Sequence, residues 1–210
     1  MILLRNSYMR KLNTDFPGQV GWFTSPDGFL RKGYPPSDMP CALDNGAFLQ
    51  WVPEDYMRML IIARDRKLLP LWVVLPDVVG DARRTLRLWY TWEPIVSAFG
   101  FPLAFACQDG CEPEDVPRTA VCCFIGGTTD WKLENAARFK DVTPWLHIGR
   151  VNTAGRLKWA ESIGADSIDG SGWFRDGVNN PNSKRLQALH EFLSGETEQG
   201  VLFDNNNQTI

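Results

Sequence analysis

Long hydrophobic runs are missing from this chain: no stretch approaches the ~20 uninterrupted apolar residues that a membrane span needs. Histidine is scarce, with His147 and His190 the only two, so the short-spaced His and Cys clusters that hold zinc have no obvious source. Positive charge is not in excess either. A net charge of −3 argues against a basic, sequence-blind nucleic-acid coat and leaves room for a local basic groove. No Gly-rich loop follows the first apolar run, as it would in a doubly wound nucleotide-binding sheet. Met1 to Arg10 surrounds a few apolar residues with Arg5 and Arg10, which is not the pattern of a signal peptide. Cysteines number five, an odd count, and Cys107, Cys122 and Cys123 lie in apolar runs. Free, buried thiols in a reducing cytoplasmic compartment are therefore expected, with no metal and no cofactor.

What is present is enough apolar material for one well-filled domain: 210 residues, 44% hydrophobic, with nine Trp, which also argues against wholesale disorder. From residue 41 onward short apolar runs alternate with amphipathic stretches. The runs are Cys41–Phe48, Leu71–Pro76, Pro102–Gln108, Ala120–Gly127, Trp145–Val151 and Asp166–Gly172. Helical periodicity fills Glu54–Lys67, Asp81–Phe99, Trp131–Phe139, Ala154–Ile163 and Ser183–Leu193. Such alternation implies parallel βαβ units. With Met1–Leu4 and Gln19–Thr24 as two further strands, the count reaches the eight that close a compact (β/α)8 TIM-like barrel. One barrel domain over residues 1–195 is expected, followed by a flexible, Asn-rich tail over 196–210.

In such a barrel the ligand meets the C-terminal strand ends. Those ends read Asp44-Asn45-Gly46-Ala47-Phe48, Leu75-Pro76-Asp77, Cys107-Gln108-Asp109-Gly110, Ile125-Gly126-Gly127, His147-Ile148-Gly149-Arg150 and Asp166-Ser167-Ile168-Asp169-Gly170-Ser171. Acidic and amide groups concentrate there without a histidine dyad or a lysine base. Paired carboxylates suit displacement at an acetal carbon, one attacking and one moving a proton. Gln, Asp and bare glycine backbone suit the hydrogen-bonding edge of a flat heterocycle, with Phe48 available to stack on its face. Each residue also has a structural reading: Gly126-Gly127 as a turn, Asp44 as a helix cap or Asx turn, Asp81 as a cap. The conjunction at successive strand ends points to a site.

These segments, in this order, resemble the queuine/guanine tRNA transglycosylase superfamily, whose members exchange guanine in a polynucleotide for a 7-deazaguanine. Asp44-Asn45-Gly46-Ala47-Phe48 is similar to that family's Asp-Ser-Gly-Gly-Phe, whose Asp is a general acid/base. Asp77 falls where a base-recognising Asp follows an apolar strand. Phe105-Ala106-Cys107-Gln108-Asp109-Gly110 resembles Gly-Ile-Val-Gln-Gly-Gly, so that Gln108 inherits the base-edge contact, and Ile125-Gly126-Gly127 matches a Gly-Gly whose backbone meets the base. Gly164-Ala165-Asp166-Ser167-Ile168-Asp169 resembles Gly-Val-Asp-Met-Phe-Asp, whose last Asp is the nucleophile, and Arg175 keeps the offset of the family's Arg. The tRNA enzymes carry a C-terminal Cys-rich zinc subdomain, and this chain has no Cys after Cys123. It is therefore closest to the short, zinc-free DpdA-type branch that modifies DNA.

The resemblance implies a glycosyltransferase with Asp169 and Asp44 catalytic, and Asn45, Phe48, Asp77, Gln108, Gly126, Gly127 and Gly149 around the base. Its partners would be DNA, alternatively tRNA, and a free 7-deazaguanine of the preQ0 type. A nucleoside or glycoside hydrolase using the same carboxylates, and a non-catalytic nucleic-acid-binding barrel, are the other readings. A phosphodiester chain needs positive charge near this acidic mouth. Arg150, Arg156, Lys158 and Arg175 follow the last two strands, with Arg150 and Arg175 read as phosphate contacts. Arg83, Arg84 and Arg87 read as a solvated helix face. Trp72, Trp89 and Trp145 read as core, and Trp173 as a candidate base-stacking residue.

Overall fold

A computed structural model describes residues 1–5, 9–177, 180 and 182–195. The expected tail, 196–210, lies outside the described residues. Eight parallel strands form a closed barrel in sequence order: β1 (Ile2–Arg5), β2 (Val20–Thr24), β3 (Cys41–Leu43), β4 (Val73–Val74), β5 (Leu103–Cys107), β6 (Cys122–Ile125), β7 (Trp145–Ile148) and β8 (Ser167–Asp169). Closure is made by β8 on β1, with Ile168 opposite Leu3. The (β/α)8 expectation is met. Within the mouth the strands are shorter than the apolar runs suggest. β3 stops at Leu43, and Asp44–Gln50 is irregular; β4 keeps only Val73–Val74. The remaining residues of those runs leave the ladder to form the loops above it.

Among the described residues seven α-helices surround the barrel: α1 (Met9–Asp15), α2 (Pro26–Lys32), α3 (Pro53–Asp65), α4 (Ala82–Val96), α5 (Thr129–Asn135), α6 (Ala154–Ser162) and α7 (Lys184–Ser194). α1 and α2 lie outside the predicted helices, both being only 7 residues long. Their signals were present for α2: Ser25 at the N-cap, Pro26 in the first turn, Arg31 and Lys32 in the last, and Gly33 after it. The predicted Trp131–Phe139 helix is α5 followed by a 3-10 turn, Ala136–Phe139. Asp81 is the N-cap of α4, its side chain accepting from the Arg84 amide at 2.8 Å, so its structural reading holds.

Strand alternation divides the core in two. Leu43, Val73, Leu75, Leu103, Phe105, Cys107, Cys123, Ile125, Leu146, Ile148 and Ile168 belong to the large core cluster, which also takes Tyr56, Leu60 and Trp89 from α3 and α4 and Leu189 and Leu193 from α7. The alternate positions, Ala42, Trp72, Val74, Ala104, Ala106 and Cys122, form a separate inner cluster with Phe23 and Phe124 packed on it. Small residues on β3 and β5 leave room there for an aromatic group. The Phe124 and His147 rings stack 4.6 Å apart, and Trp72 meets His147 edge-on at 4.9 Å. All five cysteines are free and buried.

Candidate active site

The inward phase of each strand, continued past its C-terminal end, supplies the site. Ala42 leads to Asp44, Ala106 to Gln108, Phe124 to Gly126, His147 to Gly149 and Ser167 to Asp169. Period two therefore places these residues at the mouth, above the inner aromatic group. They surround a cavity of about 380 Å³, within the range of small-molecule sites. Every residue named above as catalytic, base-binding or phosphate-contacting lines it: Asp44, Asn45, Phe48, Asp77, Gln108, Gly126, Gly127, Gly149, Arg150, Asp169 and Arg175. Phe23, Val74 and Phe124 also line it and were not named, although the same alternation identifies them.

Three carboxylates share the cavity in different environments. Asp44 accepts from the Asn45 amide at 2.9 Å. Burial, then the neighbouring Asp77 and Asp169 charges, push its carboxyl up to about 7. Asp169 has an 18% exposed side chain. Burial raises its pKa too, but the Arg150 amide donates to Oδ1 and the Lys132 and Arg150 charges oppose the rise. Asp77 is raised by burial and held down by two amide donors, Asn45 Nδ2 to Oδ1 at 2.7 Å and Gln108 Nε2 to Oδ2 at 2.5 Å. Asp44 has no cation offsetting its rise, whereas Asp169 has two. Both carboxyls are raised, and they differ in what opposes the rise: backbone amides at Asp44, and the Arg150 amide with the Lys132 and Arg150 charges at Asp169.

Hydrogen bonding revises several sequence-based roles. Asn45 is buried and directs both Nδ2 donors inward, to Leu75 O at 2.6 Å and to Asp77, while its Oδ1 accepts from the Ala47 amide at 2.7 Å. It positions Asp77, and no donor remains for a base. Gln108 Oε1 accepts from the Gly80 and Gly127 amides at 2.9 and 2.8 Å, leaving one Nε2 hydrogen for other work. The Gly126 amide donates to Cys107 O at 2.9 Å and the Gly149 amide to Ile125 O at 3.0 Å. All three N–H groups are thus used within the barrel, so a backbone contact of Gly126 or Gly127 with the base would have to come from a carbonyl. Glycine is required at 126 and 127 by crowding. A Cβ would lie 2.4 Å from Gln108 Nε2 at the first and 2.7 Å from the Trp131 ring at the second. Asp109 turns away from the cavity and ties Thr128, at the start of α5, by two hydrogen bonds of 2.6 and 2.7 Å.

Trp173 does not face the cavity. It lies fully buried in a 3-10 turn, Gly172–Phe174, with its indole N–H donating to Val151 O at 2.7 Å. The β8 exit packs so closely over the β7 exit that a Cβ at Gly170 would meet Val151 O at 2.2 Å, and the indole fills the space beneath. Trp72 and Trp89 are buried as expected, and Trp145 is half-buried. Phe48 is 61% exposed and flanks the mouth, its ring under the Arg150 guanidinium at 5.0 Å. Arg150 adopts the left-handed conformation, φ 62°, uncommon for a residue with a Cβ and found at functional sites. In that conformation its amide meets Asp169 while its side chain donates to Gly127 O. Arg175 is exposed at the rim, and Arg83, Arg84 and Arg87 lie on the exposed face of α4.

Two further residues stand behind Asp169, although neither a histidine nor a lysine was expected to join the acids. His147 Nε2 lies 3.9 Å from Asp169 Oδ1 and has no hydrogen-bond partner among the described residues. Its Nδ1 is 2.8 Å from Ser167 Oγ, which also accepts from Trp145 Nε1 at 2.7 Å. Burial, then the Lys132 charge, hold this imidazole well below its usual pKa, so it is neutral. Lys132, one turn into α5, is buried and donates to Gly149 O. Its sequence signal was weak: one lysine shortly after the Gly126-Gly127 strand end. No protein-family model matches this chain, and no curated protein matches it.

Proposed function

We propose that this chain is a base-exchange transglycosylase of the guanine transglycosylase type, replacing guanine in DNA with a 7-deazaguanine. The observation that carries the reading is the pairing of Asp44, raised to about 7, with an Asp169 bonded to the Arg150 amide and flanked by cations, across one cavity that Asp77 and Gln108 also enter. The Asp169 carboxylate attacks C1′ of the target guanosine. The C1′–N9 bond breaks with its electron pair going to the base, and Asp44 donates the proton that lets guanine leave. A glycosyl ester on Asp169 then holds the strand. The incoming 7-deazaguanine gives its N9 proton to Asp44, attacks C1′ and releases Asp169, so two displacements retain configuration. Asp77 and the remaining Gln108 hydrogen meet the base edge, and the Phe23 and Phe124 rings line the cavity beneath the base. A base in this cavity has left its helical stack, which favours a flipped or single-stranded target.

DNA is the first polymer to test and tRNA the second. Incubating the protein with labelled guanine and, separately, with DNA and with tRNA tests both points: label is expected in DNA. Label in tRNA alone would transfer the reading to that polymer, and abasic product without label would indicate a hydrolase. Asp169→Asn should form no covalent adduct on denaturing gels. An adduct that persisted in this variant would remove Asp169 as nucleophile.

A further inference from the structure

A second, smaller cavity of about 140 Å³ adjoins the first, between α5, the β7 exit and α6. Lys132, Arg150 and Arg156 line it, and no carboxylate does. Among the described residues none of these three cations forms an ion pair with an acid. Lys132 is 6% exposed, and its ammonium has the Gly149 carbonyl as its partner. Burial, then the Arg150 charge, with Arg156 adding to it against the opposing Asp169 and Asp109, push its pKa down to about 8. An ammonium taken out of water without a counter-ion is costly, and two nearby guanidiniums add to that cost. A bound anion offsets all three charges at once, and an Arg fork suits phosphate oxygens. Gly149, Arg150 and Asn152 are common to both cavities, and the Arg150 amide is bonded to Asp169.

We infer that this cavity is a phosphate subsite, holding the phosphate ester carried by the same sugar whose C1′ meets Asp169. The inference rests on the exchange reading for the sugar's position, and it deepens that reading by adding an anion anchor apart from the exposed rim residue Arg175. Its occupant is either an internal phosphodiester of a strand or the monoester of a free nucleotide, which share the recognised chemistry.

Binding, not exchange, is the readout. The unaltered protein and Arg156→Gln are titrated with a single-stranded deoxyoligonucleotide holding one guanine, whose two flanking phosphates are replaced in turn by neutral methylphosphonate. The same proteins are titrated with dGMP and with deoxyguanosine. One methylphosphonate is expected to weaken binding to the unaltered protein about tenfold, the scale of a charge-assisted hydrogen bond. Against Arg156→Gln the same replacement should cost nearly nothing, and the slope of log K on log salt should fall by about 0.7. If instead dGMP outbinds deoxyguanosine in the unaltered protein alone, the occupant is a free nucleotide's monoester. Discrimination unchanged by the substitution in both arms, or absent from both, overturns the subsite. Lys132→Met should repeat the result; where its buried position prevents folding, the half-buried Arg156 carries the test. A protein that shows the phosphate effect but incorporates no labelled guanine retains the subsite and loses the exchange reading.

Discussion

At the scale of single residues, the environment of Asp44 makes the most direct prediction. Its carboxyl is raised to about 7 by burial and by the Asp77 and Asp169 charges, and in the proposed cycle it must first give a proton. Exchange should therefore decline as pH rises past about 7. It should also decline on the acid side, where protonation of Asp169 removes the nucleophile, so the pH–rate profile is a bell. A flat profile across neutrality would detach Asp44 from proton transfer. Gly126 makes a second prediction. A methyl group there would sit 2.4 Å from Gln108 Nε2, so Gly126→Ala must displace the amide that also holds Asp77 and the Gly80 and Gly127 amides. A loss of about 1–3 kcal/mol in urea unfolding is expected, as for overpacking elsewhere, together with weaker guanine binding by calorimetry.

At the scale of elements, the site depends on ties between neighbouring strand exits. Asn45, just beyond β3, reaches Leu75 O and Asp77 beyond β4. Asn45→Ala leaves a buried carbonyl and a buried carboxylate short of donors, and should cost about 1–3 kcal/mol. The exits of β7 and β8 are tied by Trp173 through Val151 and by Asn152, whose Oδ1 accepts from the Gly172 amide at 2.6 Å. Trp173→Phe keeps most of the packing and removes one hydrogen bond, so it should lower stability by about 1 kcal/mol and leave base affinity unchanged. A base-stacking Trp would behave in the opposite way, losing affinity first. In the sequence Trp173 reads as a loop residue because its neighbours, Gly172 and Ser171, have the composition of an open loop. The direction of its ring is decided by a 3-10 turn and by how closely one exit crosses another.

At the scale of the whole molecule, the barrel gathers three acids at one end and buries each enough to raise its pKa. The sign of the linkage follows. In the unfolded chain an Asp releases its proton near 3.9, whereas the folded chain retains it to higher pH, so the native state binds more protons between these values. Stability should therefore fall as pH rises above about 4, with the contribution of Asp44 extending to about 7. Urea midpoints at either end of that window are the measurement, and Asp44→Asn should flatten the dependence by removing the contribution of Asp44. The thiols report on the same cohesion. All five are buried, so aromatic-disulfide labelling should be slow in buffer and rapid in urea.

The architecture was largely legible because strand and helix periods differ and because eight apolar runs, each followed by polar or glycine residues, allow few arrangements. The candidate site was legible for a related reason. Asp44, Gln108, Gly126, Gly149 and Asp169 stand at the ends of the apolar runs, where a barrel meets its ligand, and that placed them at one mouth. Helices of only 7 residues, such as α1 and α2, carry too few repeats for periodicity to stand out. Chain order thus determined which polar groups stand at strand ends. Closure of β8 onto β1 and the packing of α5 against the β7 exit decided how those groups are used: Asn45 as a brace, glycine amides as barrel bonds, Trp173 as core, Lys132 beside Asp169. Hydrogen-bond partners and desolvation depend on distances between residues remote in sequence, and only the folded chain sets those distances.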